Sequence, residues 1–259
     1  RIRAMNMFEA IFSRKSIRHF RKEKVEWEVI EDILKFTDEL PKLFDEIAVE
    51  FKLVSNIEKK QGFHGPFSVN APYYICISSE KGDGYLLNAG YMMQQLCLFI
   101  TSKGLGTCFV GLANPGRGLK STMKYDYVIA LAFGKTDEPL YRNSLEAKRL
   151  PESDTVVYKE DVNADIRQII TAARLAPSGM NNQPWRFVVY KNRIHIFTRK
   201  NVLLYKIMDA NNMIDIGIMM ANLLVAAEEL WVDISISQLE SLKNKPFQNN
   251  QYVLTVTIG

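Results

Sequence analysis

The sequence is poor in the residues that build disulfide frameworks and metal sites. It contains 3 cysteines and 3 histidines among 259 residues. Cys76, Cys97 and Cys108 stand singly inside apolar runs, and no His or Cys pair has the spacing of metal ligands. We therefore predict buried, reduced thiols in a cytoplasmic protein, with no disulfide framework and no metal site.

Long apolar runs, a leader segment and one-sided charge are lacking as well. The longest apolar stretch, about residues 91–100, is too short to span a bilayer and is broken by Gln94 and Gln95. The N-terminal residues do not resemble a signal peptide. The net charge of +4 is mild and spread along the chain, without a basic stripe interleaved with aromatics. We expect a cytoplasmic location and neither a membrane nor a nucleic-acid partner.

The side-chain arrangements of acid–base and nucleophilic catalysis are also missing. There is no Ser-His-Asp order, no pair of catalytic carboxylates and no Walker-type phosphate loop. Gly116 and Gly118 lack the strand-to-helix setting of a dinucleotide fingerprint. The composition, with 47% hydrophobic and 24% charged residues, is that of an ordinary globular protein with a substantial core. These absences favour a bound cofactor as the reactive group.

The sequence does contain an alternation of helical and strand periodicity, which predicts a mixed α+β fold. Apolar spacing predicts helices over residues 7–12, 26–39, 87–103, 165–175 and 212–230. In the second helix, the residues expected to face the core are Trp27, Ile30, Ile33, Leu34 and Phe36 or Thr37. Runs of β-branched and aromatic residues predict strands over 49–54, 72–78, 107–111, 127–133, 187–190, 194–197, 232–237 and 252–258. Residues 135–153 have little periodicity, which predicts a connector.

The second part of the chain repeats the first. Pro177 follows Pro41 by 136 positions, between a helix and a strand in both cases. Residues 215–223 match residues 88–96 at an offset of 127, including a shared Gly-x-Met-Met sequence. Offsets that drift along the chain are what insertions and deletions in loops produce. We infer an internal duplication in which each half is a helix-and-sheet unit of similar plan.

Two polar stretches have the composition of ligand-binding segments. Residues 176–187, here called the amide loop, combine a glycine, a serine, two asparagines and a glutamine, which suit a flat heteroaromatic ligand; the alternative is a polar turn. Residues 14–18, the N-terminal strap, place two guanidiniums four residues apart with a hydroxyl between them. This combination suits a phosphate dianion; the alternative is a solvated basic helix end. Lys148-Arg149 by itself is more typical of a connector surface.

These stretches resemble motifs of one known family. Arg14-Lys15-Ser16-Ile17-Arg18-His19-Phe20 resembles the Arg-x-Ser-x-Arg-x-Phe start of the FMN-dependent nitroreductases. The amide loop resembles that family's Ala-Pro-Ser-x-x-Asn-x-Gln-Pro-Trp-x-Phe segment. Further landmarks follow in order at residues 71–75, 88–111 and 129–134 and at Lys148-Arg149, so the resemblance covers nearly the whole chain.

The resemblance implies an α+β, three-layer α/β/α nitroreductase-like fold. Family members form homodimers with two FMN sites at the subunit interface, whereas this chain divides the motifs between its halves, residues 5–158 and 159–259. At the position of the amide loop, the first half has residues 40–46, which contain no Asn or Gln side chain to hydrogen-bond with the flavin ring. Before its first helix the second half has residues 159–163, without Arg-x-Ser-x-Arg. We therefore expect an intrachain pseudo-dimer with one composite FMN site.

Carried over residue by residue, the resemblance implies a specific set of FMN contacts. The strap arginines and Ser16, with Lys148 or Arg149, would hold the phosphate, and the amide loop would contact the ribityl chain and the ring edge. Val110 and Gly111 would back the isoalloxazine. The full set of expected cofactor-binding residues is Arg14, Lys15, Ser16, Arg18, Val110, Gly111, Lys148, Arg149, Pro177, Ser178, Gly179, Asn181 and Gln183.

The function implied by the resemblance is electron transfer from NAD(P)H through FMN to a nitroaromatic, quinone or similar acceptor. No side chain is expected to act as an obligatory acid or base. One alternative is a flavin-binding or structural protein without turnover, because one of the two sites is lost. Another is a specialised flavin reaction such as dehalogenation or flavin breakdown. A monomer would satisfy the family's interface within one chain, and further dimerisation is left open.

Overall fold

The computed structural model describes residues 5–58, 63–65, 68–111, 113–200 and 206–259. Helices α1 to α8 span Met7–Ser13, Trp27–Glu39, Tyr85–Ser102, Arg117–Lys120, Glu152–Thr155, Ala164–Arg174, Lys206–Glu229 and Glu240–Lys243. Strands β1 to β11 span Val49–Ser55, Phe63–His64, Tyr73–Ser79, Gly106–Val110, Asn114–Pro115, Asp126–Gly134, Val156–Tyr158, Trp185–Tyr190, Arg193–Arg199, Ile234–Ser237 and Asn250–Ile258. All of the helices and strands predicted from periodicity are present, with ends shifted by a few residues.

Local chemistry explains where the early helices begin. Asn6 caps α1: its Oδ1 accepts from Glu9 N at 2.8 Å, and Glu9 Oε2 accepts from Asn6 N at 2.9 Å. In α2, Ile30 and Ile33 are buried as predicted, but the inward placement of Trp27 was wrong. Trp27 lies in the first turn, is 63% exposed and donates its indole N–H to Glu31 Oε1 at 2.9 Å. The polar edge of an indole ring explains this position, since it favours a carboxylate and water over the core.

Two sheets repeat the same strand order. The first has the order β1-β3-β6-β4, and the second contains β8-β9-β11-β10, in both cases with antiparallel neighbours. The predicted duplication is therefore present in the topology. Strand β7 adds to the second sheet in parallel to β8. It lies within residues 5–158, so the segment that ends the expected first half is hydrogen-bonded to the sheet of the second.

Helices α3 and α7 pack against each other more extensively than any other pair of described elements. A Cβ on Gly90 of α3 would lie 2.1 Å from Ile214 O, and a Cβ on Gly217 of α7 would lie 2.0 Å from Leu87 O. Each glycine thus meets the backbone of the other helix at equivalent positions of the repeat. Such reciprocity is typical of a two-fold axis. The helix pair is the interface between the two halves, and glycine is required at both crossing points.

The ends of the same two helices show where the halves have diverged. Gly104, two residues after the end of α3, has φ +81, and Leu105 N donates to Ile100 O at 3.4 Å. Trp231 occupies the equivalent position after α7 with φ +55, while Val232 N donates to Ala227 O at 2.9 Å. The left-handed conformation costs a non-glycine residue about 1–2 kcal/mol. Trp231 is therefore a locally unfavourable residue at a helix end that keeps the geometry of its glycine counterpart.

The main core joins both sheets through the helices. Tyr73, Ile75 and Ile77 of β3 point into it, whereas Tyr74 and Cys76 point into a smaller cluster on the other face of the first sheet. The three cysteines are buried and unpaired, which confirms the prediction of buried thiols.

Within α7, residues 210–229 are long and apolar enough to cross a membrane by length and composition, with mean hydropathy 1.3. In the fold, 72% of this apolar window is buried against the protein's own elements.

Candidate functional site

A cavity of about 890 Å³ lies between the two halves, within the size range of cofactor and small-molecule sites. The N-terminal strap, β4, the connector, the amide loop and α7 all contribute to its wall. The residues expected from the sequence that line it are Arg14, Lys15, Ser16, Arg18, Gly111, Lys148, Arg149, Pro177, Ser178, Gly179 and Asn181. The structure thus brings together groups that lie about 160 residues apart in the chain.

Val110 and Gln183 are not among the described residues that line this cavity. The Val110 side chain is 1% exposed and lies in the smaller hydrophobic cluster, because alternate residues of β4 point to opposite faces. Gln183 is 4% exposed, and its amide is engaged within the protein. The structure does not bring these two side chains to the cavity wall, and their contact with a ligand stays a prediction.

The N-terminal strap is held beside β4 by backbone contacts. Ser16 forms a parallel bridge with Thr107, and Ile17 N donates to Thr107 O at 2.9 Å. Gly106 allows this approach, since a Cβ there would lie 3.0 Å from the Ile17 side chain. The strap is consequently positioned by a strand of the first sheet and by a buried isoleucine.

Two arginines of the cavity wall carry buried nitrogens without partners. Arg14 is 2% exposed; its guanidinium donates to Ser16 Oγ at 3.3 Å, but its Nε finds no partner in the described ranges of the chain. Arg142, which the sequence analysis missed, also has a buried Nε without a partner among the described residues. A backbone bridge between Arg14 and Tyr141, and a bond from Arg142 N to Ser13 O at 2.8 Å, bring the two segments together, and both arginines line the same cavity. The pKa of Arg142 is lowered, first by burial and then by the Arg14 charge.

Arg149 lines the cavity but is largely used to hold the protein together. Its guanidinium donates to Arg174 O at 3.0 Å, to Leu175 O at 2.7 Å and to Lys148 O at 2.9 Å. A fourth bond reaches Asn181 Oδ1 at 3.3 Å. A guanidinium has five N–H donors, so little capacity is left for a ligand. Burial, followed by repulsion from Arg142 and Arg14, lowers the pKa of Arg149 to about 10.

The amides of Asn181 and Gln183 are bonded to the connector, although Asn181 also lines the cavity. Asn181 Nδ2 donates to Lys148 O at 3.0 Å. Gln183 Oε1 accepts from Leu150 N at 2.9 Å, and Gln183 Nε2 donates to Asn181 O at 3.2 Å. The resemblance implied that both amides contact the ribityl chain and the ring edge of FMN. In this structure they join the second half to the last segment of the first.

The backbone of the amide loop adopts a left-handed conformation at three positions. Met180, Asn181 and Gln183 have φ values of 51°, 58° and 49°. Asparagine tolerates this conformation, but methionine and glutamine adopt it at a cost of about 1–3 kcal/mol each. Met180 is 74% exposed and lines the cavity. Unfavourable backbone conformations of this kind cluster at binding sites.

Asp215 is a second residue that the sequence analysis did not assign to the site. It is 6% exposed, lines the cavity, and both of its oxygens lie 3.1 Å from Gly179 N. Burial raises its pKa to about 7, against the opposing effect of that backbone hydrogen bond. The repeat offset contained the clue, because Asp215 corresponds to Asn88. Asn88 Oδ1 accepts from Leu43 N at 2.9 Å, at the equivalent loop of the first half.

The residues present fit a phosphate-bearing flavin at one end of the cavity and a flat ring further in. Cationic residues without ion pairs to other described residues line the cavity, among them Arg14, Lys15, Arg18, Arg142 and Lys148, and the acidic Glu146 lines it as well. A Cβ on Gly111 would meet no described heavy atom within 4 Å, which leaves the backbone open to a planar ligand. The apolar part of the wall consists of Cys108, Phe109, Ile129, Ile214 and Ile218. No group of three or more His, Cys, Asp or Glu side chains suited to a metal ion occurs in the described part of the chain.

Comparisons with known proteins agree with this architecture. A family model described as "Putative TM nitroreductase" matches residues 6–227. The solved structure of the "putative nitroreductase" tm1586 from Thermotoga maritima MSB8 is similar over 100% of this chain and 96% of its own, at 22% identity and a TM-score of 0.67. A search of curated protein sequences found no match.

Shorter nitroreductases match about half of the chain. An FMN-dependent nitroreductase from Clostridium difficile R20291 covers 57% of this chain and 96% of its own, at 24% identity and a TM-score of 0.45. A nitroreductase with bound FMN from Desulfitobacterium hafniense DCB-2 covers 60% and 100%, at 18% identity and a TM-score of 0.46. The family match over most of the sequence and the full-length similarity to tm1586 confirm the nitroreductase-like α+β fold expected from the motifs. This chain belongs to the TM1586-type nitroreductase family.

Proposed function

We propose that this protein is an FMN-dependent oxidoreductase that passes electrons from NAD(P)H to a nitroaromatic, quinone or similar small acceptor. The observation that carries the proposal is the pair of unpartnered guanidinium Nε atoms, on Arg14 and Arg142, in the wall of a cavity that also contains the amide loop. A buried donor without a partner costs about 1–3 kcal/mol. An anionic ligand that accepts from these donors would recover that free energy.

The chain's own residues would bind and orient the cofactor. Arg14 and Ser16, with Arg18 from the same strap and Lys148 from the connector, would hold the phosphate by charge-assisted hydrogen bonds. Of the two alternatives at the connector we favour Lys148 for the phosphate, because the bonds of Arg149 hold the connector against the end of α6 and the amide loop. Arg149 positions the site rather than contacting the phosphate with its full set of donors.

The ring would lie against the apolar wall formed by β4 and α7. Gly111 leaves room for it, and the side chains of Phe109, Ile214 and Ile218 exclude water from one side. When bound, FMN would supply the hydride chemistry that connects a nicotinamide donor to the acceptor. The protein contributes position and electrostatics, and no side chain is assigned as an obligatory base.

The stoichiometry of FMN tests the composite site. The purified, reconstituted protein is expected to bind one FMN per chain, since the N-terminal strap and the amide loop occur together once among the described residues. The bound flavin should lose its visible absorbance when NADPH or NADH is added without oxygen, and regain it when a nitroaromatic or quinone follows. Two FMN per chain, or no binding after reconstitution, contradicts the proposal.

A second candidate is a flavin-binding or structural protein without turnover. The observation in its favour is that the amides of Asn181 and Gln183 form hydrogen bonds to the connector, which leaves fewer groups to hydrogen-bond with a flavin ring. The anaerobic titration separates the two candidates. A flavin that binds but stays oxidised in the presence of both nicotinamide cofactors supports the second one.

A further inference from the structure

Arg142 makes no hydrogen bond or ion pair, within the part of the chain that the structure describes, that would explain the burial of its Nε. Its guanidinium forms no hydrogen bond or ion pair with any described residue, and its Nε is buried. Its backbone is engaged through the bond from Arg142 N to Ser13 O at 2.8 Å, and Glu146 attracts its charge without forming an ion pair with it. Arginines that stabilise a fold normally satisfy their donors with carbonyls or carboxylates, as Arg149 does here. Arg142 therefore requires another explanation.

The surroundings of Arg142 are cationic. Arg14 stands beside it on the N-terminal strap, with a second unpartnered Nε, and both side chains line the same cavity. Glu146 is the nearby acid, but its carboxylate accepts from Asn143 N at 3.1 Å in a cap of the following turn. Adjacent guanidiniums repel each other, and repulsion from Arg14 contributes, after burial, to the lowered pKa of Arg142, while attraction to Glu146 opposes this shift. This arrangement is unfavourable in the protein alone and complementary to a dianion.

We propose that Arg142 is a phosphate-binding residue that donates to the phosphate of FMN from the connector, together with the donors of Arg14 on the N-terminal strap. The inference rests on the proposed function and extends it to a residue outside the strap and outside the Lys148-Arg149 pair. It also gives the phosphate a structural role. By bonding to both arginines, the phosphate fastens the connector to the strap, and the connector in turn holds the amides of Asn181 and Gln183.

Comparison of FMN with riboflavin tests this assignment, because riboflavin lacks the phosphate. Dissociation constants for both ligands are measured by flavin fluorescence for the wild type, Arg142→Ala and Arg142→Lys. Arg142→Ala is expected to weaken FMN binding about ten- to a hundredfold, the range of a charge-assisted hydrogen bond, and to leave riboflavin binding within about threefold. Arg142→Lys should fall between, since it keeps the charge and loses the fork of donors. Arg117→Ala is the control: it removes an exposed arginine that does not line the cavity.

The stability of the flavin-free protein provides a second, independent readout. Because Arg142→Ala removes a buried unpartnered donor and a repulsive charge, the flavin-free variant should be at least as stable to heat as the wild type. A structural arginine would show the opposite result. The proposal is overturned if Arg142→Ala leaves FMN affinity unchanged, if it weakens FMN and riboflavin equally, or if it lowers the stability of the flavin-free protein while FMN affinity is retained.

The same variants separate this inference from the proposed function. If the wild type binds neither flavin, the FMN proposal fails, and thermal stabilisation by inorganic phosphate then decides the role of Arg142. Stabilisation of the wild type that Arg142→Ala abolishes supports a phosphate site at these two arginines. Equal stabilisation of both proteins, or of neither, contradicts it.

Discussion

Asp215 offers a quantitative test of how the cavity wall is built. The residue is a carboxylic acid with 6% exposure, no ion pair among the described residues and one backbone donor, Gly179 N. Burial raises its pKa from 3.8 to about 7. In the first half, the equivalent residue is the neutral Asn88, which accepts from the loop backbone in the same way. Holding the loop therefore does not require a charge, and Asp215→Asn should keep that hydrogen bond.

The sign of the effect follows from proton binding. Between pH 4 and 7 the folded protein binds a proton at Asp215 that the unfolded chain has already released, so stability falls as the pH rises through this window. The difference between 3.8 and about 7 corresponds to about 4 kcal/mol at 1.36 kcal/mol per pKa unit, as an upper limit. In the variant this contribution is absent. The new Nδ2 group costs about 1–3 kcal/mol if it finds no partner, but that cost does not depend on pH.

The measurement is the free energy of unfolding of the flavin-free protein in urea at several pH values from 4.5 to 8. The value for Asp215→Asn minus that for the wild type should increase across this range, by about 1–4 kcal/mol in total. Asn88→Asp is the matched control: it places a carboxylate at a position with 0% exposure and should destabilise the protein more at pH 8 than at pH 4.5. If the difference between Asp215→Asn and the wild type is independent of pH, the carboxyl group is not buried in the way described.

Three further substitutions test the fold and the loop. Trp231→Gly should raise the free energy of unfolding by about 1 kcal/mol, because glycine adopts the left-handed conformation without strain and the replaced side chain is 94% exposed. Urea titration measures the change in the free energy of unfolding. An unchanged midpoint would show that this conformation has no energetic cost for tryptophan. Gly217→Ala should cost about 3 kcal/mol, since its Cβ would lie 2.0 Å from Leu87 O, and a thermal midpoint equal to that of the wild type would mean that α3 and α7 are further apart. Gln183→Ala should lower the free energy of unfolding by about 1–3 kcal/mol, because Leu150 N loses its acceptor. It should also weaken FMN binding, because the connector is displaced. Weaker FMN binding at unchanged stability in urea would instead indicate that Gln183 contacts the ligand directly.

Much of this architecture can be predicted from the sequence because it depends on local interactions. The spacing of apolar residues places the long helices and the core strands, and Asn6 with Glu9 specifies the start of α1 through a capping box. The drifting repeat offsets predict the matched strand orders of the two sheets. The N-terminal strap and the amide loop could be identified as halves of one site because each has a residue composition suited to a different part of the ligand.

Other features depend on contacts between distant segments, and only the tertiary structure decides them. Arg142 lies in a stretch without periodicity, and it becomes part of the site because the connector pairs with the strap at Tyr141 and Arg14. An amide can bond to a ligand or to backbone with the same chemistry, so the partners of Gln183 follow from where the connector runs. The pKa of Asp215 depends on its burial, which no local pattern records. The sequence thus determines the elements and the two binding motifs, whereas the packing of the halves determines which polar groups remain free for a ligand.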